Sequence, residues 1–235
     1  MVEENKKIIE ETKISIDEMT ASGMHFGHRV SRLHPRMKPY ISGIKNNVNI
    51  FDLEKTAKDL QKALNFISRS TVDGKVILFV GTKIQIKNLV KQVAQDCALP
   101  FVVERWLGGT FTNFETINKR VEYFKDLEKK KAFGEFEKYT KKERMGKDKE
   151  IESLKVKFDG IRNMSKLPDV VVIFDIYKDD TCLREAKRKG IKIVAICDTN
   201  TDPSQVDYPI PANDDAISSV KYVLEKIKET ILNSK

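Results

Sequence analysis

The sequence has little of what disulfide-stabilised, metal-binding and membrane proteins depend on. Its 235 residues include three cysteines, three histidines and one tryptophan. Cys97, Cys182 and Cys197 form no Cys-x-x-Cys pair and lie among apolar residues, which predicts reduced thiols in the core of a cytosolic protein. No apolar run approaches the roughly 20 residues that cross a bilayer, and the highly charged first residues lack the apolar centre of a signal peptide. Secreted and membrane classes are therefore not expected.

Motifs that bind nucleotides are also missing. The segment VGTKIQ, which contains Gly81, matches neither of the glycine-rich patterns that hold a pyrophosphate or a nucleoside triphosphate. Asp175 and Asp198 each end a β-rich run, where α/β enzymes commonly place ligands, but helix capping and turn formation also explain them. We therefore predict a protein that is not an enzyme. Binding of a nucleotide or a sugar phosphate near these three residues stays open as the alternative.

The histidines give a weak indication of a metal site. His25 and His28 are three residues apart, but four arginines and lysines follow closely and would repel a cation. We predict no cofactor and expect these histidines to pack or to form hydrogen bonds within a polar patch. A zinc or magnesium ion at His25 and His28 stays open, with three aspartates as speculative further ligands: Asp198, Asp202 and Asp207.

Positive charge is concentrated in two segments of a chain whose net charge is +8 and whose pI is about 9.2. Residues 25–45 hold five basic residues, all three histidines and no acid. Residues 119–157 hold fourteen Lys and Arg against nine Asp and Glu. Polyanions are therefore plausible partners.

Between and after these segments, apolar strand patterns alternate with helix patterns. The runs KVILFV, DVVVIFD and KIVAICD are continuous and rich in β-branched residues, as expected of strands covered on both faces. Asp52 is placed to cap the helix that follows VNIF, and Thr82 with Gln85 predicts a capping box for the next helix. Strands separated by helices predict a three-layer α/β sandwich around a parallel sheet.

The segment 107–163 differs in kind and predicts an insert. Thr112 and Glu115 form another capping-box pattern. Two sets of apolar residues then recur at spacings of 3, 4 and 3: Phe114, Ile117, Val121 and Phe124, and later Ile151, Leu154, Phe158 and Ile161. This predicts an antiparallel coiled-coil hairpin that projects from a sandwich domain formed by residues 1–106 and 164–235. A chaperone-like or membrane adaptor would need an exposed apolar face, which the narrow seam does not offer.

Two stretches have the composition of an RNA-binding surface. HRVSRLHPRMKPY interleaves cations with His, Pro and Tyr, and its prolines favour an extended ribbon. In ERWLGGTFTNFETI, free backbone N–H groups and threonine hydroxyls before a helix would suit a phosphate. We expect Trp106 to pack in the core. The residues that we predict to contact RNA are Arg29, Arg32, Arg36, Lys38, Lys83, Arg105, Thr110, Asn113, Lys119 and Arg120.

Seven segments of the chain, taken in order, resemble the bacterial ribosomal protein S2 family. They are SGMHFGHRVSRLHPRMKPYI, VNIFDLEKT, LFVGTKIQ, ERWLGGTFTNFETI, LPDVVVIFD, DTNTDP and YPIPANDDAI. The resemblance covers about residues 15–231, and RWLGGT-x-TN together with IPANDDAI is highly specific.

The resemblance implies a flavodoxin-like sheet with an inserted coiled-coil hairpin and no catalytic residues. It implies a structural role in the small (30S) ribosomal subunit, where the protein bridges head and body through 16S rRNA in the cytoplasm. It further implies contact with other small-subunit proteins, including the mRNA-binding ribosomal protein S1. The lysine-rich hairpin tip of this chain departs from the family pattern.

Overall fold

The computed structural model describes residues 14–235, so the charged stretch 1–13 that we compared with a signal peptide lies outside the described residues. The described chain alternates strands with helices and ends on a helix. In chain order the elements are α1 Ile16–Ala21, β1 Phe26–Arg29, β2 Ile41–Lys45, β3 Val48–Phe51, α2 Leu53–Val72, β4 Ile77–Val80, α3 Lys87–Asp96, β5 Phe101–Val102, α4 Phe114–Ala132, α5 Lys141–Phe158, β6 Val170–Ile173, α6 Asp180–Lys189, β7 Lys192–Cys197, β8 Tyr208–Pro211 and α7 Ile217–Asn233.

Five parallel strands form the central sheet in the spatial order β5-β4-β6-β7-β8. Numbered among themselves along the chain, these strands have the order 2-1-3-4-5, which is the flavodoxin-like arrangement. The order reverses between β4 and β6, where connections leave in opposite directions and open a crevice at the carboxyl ends of the strands. The predicted fold class is therefore confirmed.

The two faces of the sheet bury separate apolar cores, because successive strand residues point to opposite sides. On one face Ile77 and Phe79 pack with apolar residues of α2, α3 and α7. On the other face Leu78 and Val80 pack with α6 and with the base of the insert. All three cysteines are buried and free, as predicted. No helix in the described part of the chain is long and apolar enough to span a membrane.

A second, antiparallel sheet in the order β1-β3-β2 was not predicted. VNIF is a strand, but its two partners lie in the basic segment 25–45, where we expected an extended ribbon. That expectation is wrong for residues 30–32 and 35–40, which form short 3₁₀ helices, the second with Pro35 in its first turn and Pro39 inside it. β8 was not predicted because its sequence YPIP contains two prolines; β8 lies at the edge of the sheet, where proline is tolerated.

The predicted helical hairpin is present within residues 107–163. Helices α4 and α5 are joined through a left-handed Gly134 and a short 3₁₀ turn, and Thr140 begins α5 with a capping box to Glu143. Tyr123 donates a hydrogen bond to Glu150 across the pair at 2.8 Å. The predicted apolar seam is buried or half-buried throughout. Its coiled-coil packing and the domain boundaries stay predictions.

The two capping boxes that the sequence predicted, Thr82 with Gln85 and Thr112 with Glu115, are wrong. Helix α3 begins after Ile86, and the Thr82 hydroxyl donates instead to Asp179 at 2.7 Å. Helix α4 begins after Asn113, and the Thr112 hydroxyl donates to Glu185 at 3.2 Å. In each case the threonine hydroxyl donates to a carboxylate distant in sequence, whereas the local pattern predicted that it caps a helix.

Candidate nucleic-acid interface

The crevice at the carboxyl edge of the sheet is dominated by one lysine surrounded by acids. The ammonium of Lys83, which follows β4, lies 3.2 Å from Asp175, 2.9 Å from Asp214 and 2.6 Å from Asp215. It also donates to the backbone carbonyl of Asp214. Lys83 is largely buried, so its charge is neutralised inside the protein and is not offered to an external phosphate.

Burial and mutual charge shift the proton affinities of this cluster. Burial opposes the charge of Lys83, yet its hydrogen bonds to Asp214 and Asp215 outweigh burial and hold its pKa well above the ordinary value. Asp214 is buried beside the charges of Asp175 and Asp198, and its pKa rises to about 7. Burial raises the pKa of Asp179 to about 6, although Thr82 donates two hydrogen bonds to it.

His28 joins the same cluster, whereas His25 does not. The Nδ1 of His28 lies 3.1 Å from Asp198, and its Nε2 lies 3.5 Å from Asp215. The hydrogen bond to Asp198 raises the pKa of His28. His25 instead places its ring 3.9 Å from Phe26, centroid to centroid.

This arrangement does not form the metal site that was left open. Among residues 14–235 there is no group of three or more His, Cys, Asp or Glu side chains placed to hold a metal ion. The ammonium of Lys83 supplies the positive charge that the acids around it require. Of the speculative ligands, Asp198 contacts His28, whereas Asp202 pairs with Arg36 and Asp207 with Lys192.

A buried carboxylate occupies the loop that we expected to hold a phosphate. One oxygen of Glu185, on α6, accepts from the Trp106 indole at 3.3 Å and the Gly109 N–H at 2.7 Å. The other accepts from the Phe111 and Thr112 N–H groups at 2.9 and 3.1 Å. Burial opposes ionisation, but these bonds outweigh it and lower the pKa of Glu185. The free N–H groups predicted here are therefore satisfied from within.

The basic segment 25–45 is held against the loop that follows β7. The His28 N–H donates to the Thr199 hydroxyl at 2.8 Å, and the His34 N–H donates to the Thr199 carbonyl at 2.8 Å. Arg36 pairs with Asp202 at 2.7 Å and donates to the Ser204 hydroxyl. These contacts hold the backbone of the segment against this loop and fix the side chain of Arg36.

The ten residues predicted to contact RNA divide into three groups. Lys83 and Thr110 are turned inward, since Thr110 is buried and donates its hydroxyl to Leu107. Arg36 and Asn113 are exposed but partnered, the latter accepting from the Thr116 hydroxyl. The remaining six are exposed and have no ion-pair partner in the described chain: Arg29, Arg32, Lys38, Arg105, Lys119 and Arg120.

Sequence reasoning missed a basic groove beside the edge strand β5. Arg105 lines a cavity of about 330 Å³ together with Lys91, Lys155 and Lys157, all exposed and without an ion pair among the described residues. Two of the acids there are engaged, because Glu104 pairs with Lys87 and Asp159 with Arg162. The groove brings α3 and α5 together, and no local sequence pattern indicates that proximity.

Fold and surface together define a class of protein: a three-layer α/β sandwich whose crevice acids are partnered by Lys83 and His28, and whose exposed cations include six with no ion pair among residues 14–235. The comparisons with known proteins place this sandwich in a family. The family model described as ribosomal protein S2 matches residues 19–234, and the chain therefore belongs to the ribosomal protein S2 family. This is a family of structural proteins, not of enzymes.

Curated relatives from distant organisms show the same similarity. The chain is 43% identical over 222 residues to the small ribosomal subunit protein uS2 of Roseiflexus castenholzii, covering 94% of this chain and 84% of that protein. It is 45% identical over 218 residues to the uS2 protein of Synechocystis, covering 93% and 81%. The protein uS2c of Guillardia theta is 44% identical over 218 residues, with 93% of both chains covered.

Proposed function

We propose that this protein is a structural component of the small ribosomal subunit that binds 16S rRNA between head and body. The observation that carries the proposal is the set of six exposed cations that make no ion pair among residues 14–235, four on the sandwich and two in the first half of α4. Phosphate contacts from such cations position a protein on RNA and read its shape more than its sequence. The names of the uS2 relatives support placement in the small subunit.

Sedimentation of cell lysate through a gradient at low magnesium tests the placement. We expect the chain to migrate with free small subunits and to be released at high salt, because each neutralised phosphate releases counterions on binding. Migration only as a free 27.0 kDa species would contradict the proposal.

A charge reversal at Arg32 tests the RNA-binding face. Arg32 is exposed at the rim of the crevice and makes no ion pair with the described residues. We expect Arg32→Glu to weaken binding to a 16S rRNA fragment about tenfold. The slope of log affinity against log salt should fall in magnitude by about 1, because one phosphate contact is lost. Filter binding at several salt concentrations measures both quantities.

Arg69→Glu is the matched control, since Arg69 is exposed in the last turn of α2, which leads to the amino end of β4 at the edge of the sheet opposite the crevice. Equal weakening by both reversals would show a response to net charge alone. An unchanged affinity for Arg32→Glu would remove this residue from the interface.

We further propose that the protein supports docking of the mRNA-binding ribosomal protein S1. This part of the proposal is supported by the family resemblance. Small subunits purified from cells depleted of this chain should carry less ribosomal protein S1, and resupplying the chain should restore it. Unchanged amounts would contradict the docking role.

A further inference from the structure

The tip of the helical hairpin exposes apolar side chains that the fold does not require on its surface. Phe133, which ends α4, is 82% exposed and is the most exposed large apolar side chain in the described chain. Tyr139 and Met145 are 39% and 53% exposed on the same tip. Leaving an aromatic ring in water forgoes the free energy of burying it, so a partner that covers the ring of Phe133 would gain that free energy.

The exposure of Phe133 belongs to an ordered turn. The Phe133 N–H donates to the Lys129 carbonyl at 3.0 Å, and the left-handed Gly134 donates to the Lys131 carbonyl at 3.1 Å. Phe136, three residues later, is buried in the seam, and its ring lies 6.1 Å from that of Tyr139. The turn thus buries the ring of Phe136 and leaves the rings of Phe133 and Tyr139 exposed.

Cations surround these exposed rings. Lys130 and Lys131 pair with Asp126 and Asp148, but five other basic residues of the tip have no ion pair among residues 14–235: Lys129, Lys138, Lys141, Lys142 and Arg144. The Lys138 ammonium lies 5.6 Å from the centre of the Tyr139 ring. The exposed Glu135 and Glu137 offset only part of this charge.

We propose that this tip is a binding site for single-stranded RNA, in which an unpaired base stacks on Phe133 and the neighbouring lysines hold the flanking phosphates. The inference rests on the proposed function, which places the hairpin in an RNA-rich environment. Exposed aromatic rings set among cations form the platform on which single strands bind, because every base presents a π face. Lysine is depleted in protein–protein interfaces, which favours RNA over a protein partner.

Fluorescence of a Phe133→Trp variant tests the stacking directly. Trp106 emits as well, but it is buried and emits at shorter wavelength than an exposed indole, so the wild type measured in parallel isolates the signal of the tip. We expect a 12-nucleotide unstructured RNA to quench this signal and a duplex of equal length not to quench it. Phe133→Ala should weaken binding of the single strand about tenfold. Val72→Ala, which truncates another apolar side chain that is 57% exposed, should leave the affinity unchanged.

The lysines are tested by Lys141→Gln with Lys142→Gln, which should lower the salt slope for the single strand by about 0.7 for each phosphate released. All the changed residues are exposed, so we expect each variant to fold. Thermal unfolding of each variant checks this. Wild-type affinity of Phe133→Ala for the single strand, or equal quenching by the duplex, would overturn the inference.

The failure of this inference is distinguishable from failure of the proposed function. If Phe133→Ala loses single-strand binding but still enters small subunits and binds a structured 16S rRNA fragment, the tip is a separate site and the inference holds. If the variant binds single strands normally, the tip inference falls and the proposed function stands. If the wild-type chain neither enters subunits nor binds either RNA, both fall.

Discussion

Glu185 is a buried carboxylate that holds a loop together through five donors contributed by four residues. Its partners are the Trp106 indole, the N–H groups of Gly109 and Phe111, and the N–H and hydroxyl of Thr112. An ionised acceptor suits this site because every partner is a donor, and such charge-assisted hydrogen bonds are the stronger kind. The carboxylate therefore fixes the root of the hairpin to helix α6.

Replacing Glu185 by Gln keeps the size of the side chain but should weaken the attachment of the hairpin root to α6. The amide places an NH₂ group against backbone donors, so at least two donors lose their acceptor. We expect a loss of about 2–4 kcal/mol in the free energy of unfolding. Urea denaturation measures that loss, and red-shifted Trp106 emission should report that the indole has become accessible to water. Glu225→Gln on the surface of α7 is the control, and equal effects of the two changes would contradict the role of Glu185.

At the scale of elements, strand β1 lies directly against the loop that follows β7. A Cβ on Gly27 would meet the Thr199 methyl at 2.4 Å and the Thr199 hydroxyl at 3.0 Å. The absence of a side chain there allows the neighbouring His28 N–H to reach the Thr199 hydroxyl. This close approach positions the arginines that follow β1.

Gly27→Ala should therefore separate β1 from this loop. We expect a loss of about 1–3 kcal/mol in the free energy of unfolding, as for other overpacked sites. Weaker binding to 16S rRNA should accompany it, because Arg29 and Arg32 move with the strand. Gly43→Ala in β2 is the control, since a Cβ there meets nothing within 4 Å. Equal melting temperatures for the two variants would show that the contact is unimportant.

The strands and helix starts show which parts of the fold the local sequence pattern predicts. The strands β4, β6 and β7 were predictable because each is a continuous apolar run covered on both faces. The failures at Thr82, Thr112 and Lys83 have a common physical cause, since partners distant in sequence decide them. Thr82 bonds Asp179 and Thr112 bonds Glu185, contacts that span 97 and 73 residues. Lys83 likewise looked like a free cation until the strand order placed Asp175 and Asp214 beside it.

For the whole molecule, the crevice cluster makes stability depend on pH. Asp179 and Asp214 have pKa values of about 6 and 7 in the folded state, above their unfolded value, so the folded state binds more protons between about pH 4 and 7. Stability contributed by their protonated forms is therefore lost as pH rises through the folded pKa values. His28, whose pKa is raised, contributes in the same direction and loses its contribution at higher pH.

The melting temperature should thus fall as pH rises from about 5 to 7. Asp214→Asn removes one titrating group at nearly constant shape and should flatten this dependence. One pKa unit corresponds to about 1.4 kcal/mol, so the pH-dependent change in the free energy of unfolding should become smaller by a few kcal/mol. Calorimetry across this pH range measures it, with Asp73→Asn at the exposed end of α2 as control. A melting temperature that rises with pH over this range would contradict the assignment.

The Glu185 contacts also set an order in time. The carboxylate lies 76 residues beyond the Gly109 N–H that it accepts from, and both hairpin helices lie between them. At roughly 5–20 residues per second, a growing chain takes roughly 4–15 s to add that stretch. For the last 27 residues of that stretch, from Phe158 at the end of α5 to Glu185, both hairpin helices have been synthesised without the group that fastens them to the sheet. A nascent chain therefore passes through a stage in which the helical hairpin has been synthesised but the Glu185 contacts at its root have not yet formed.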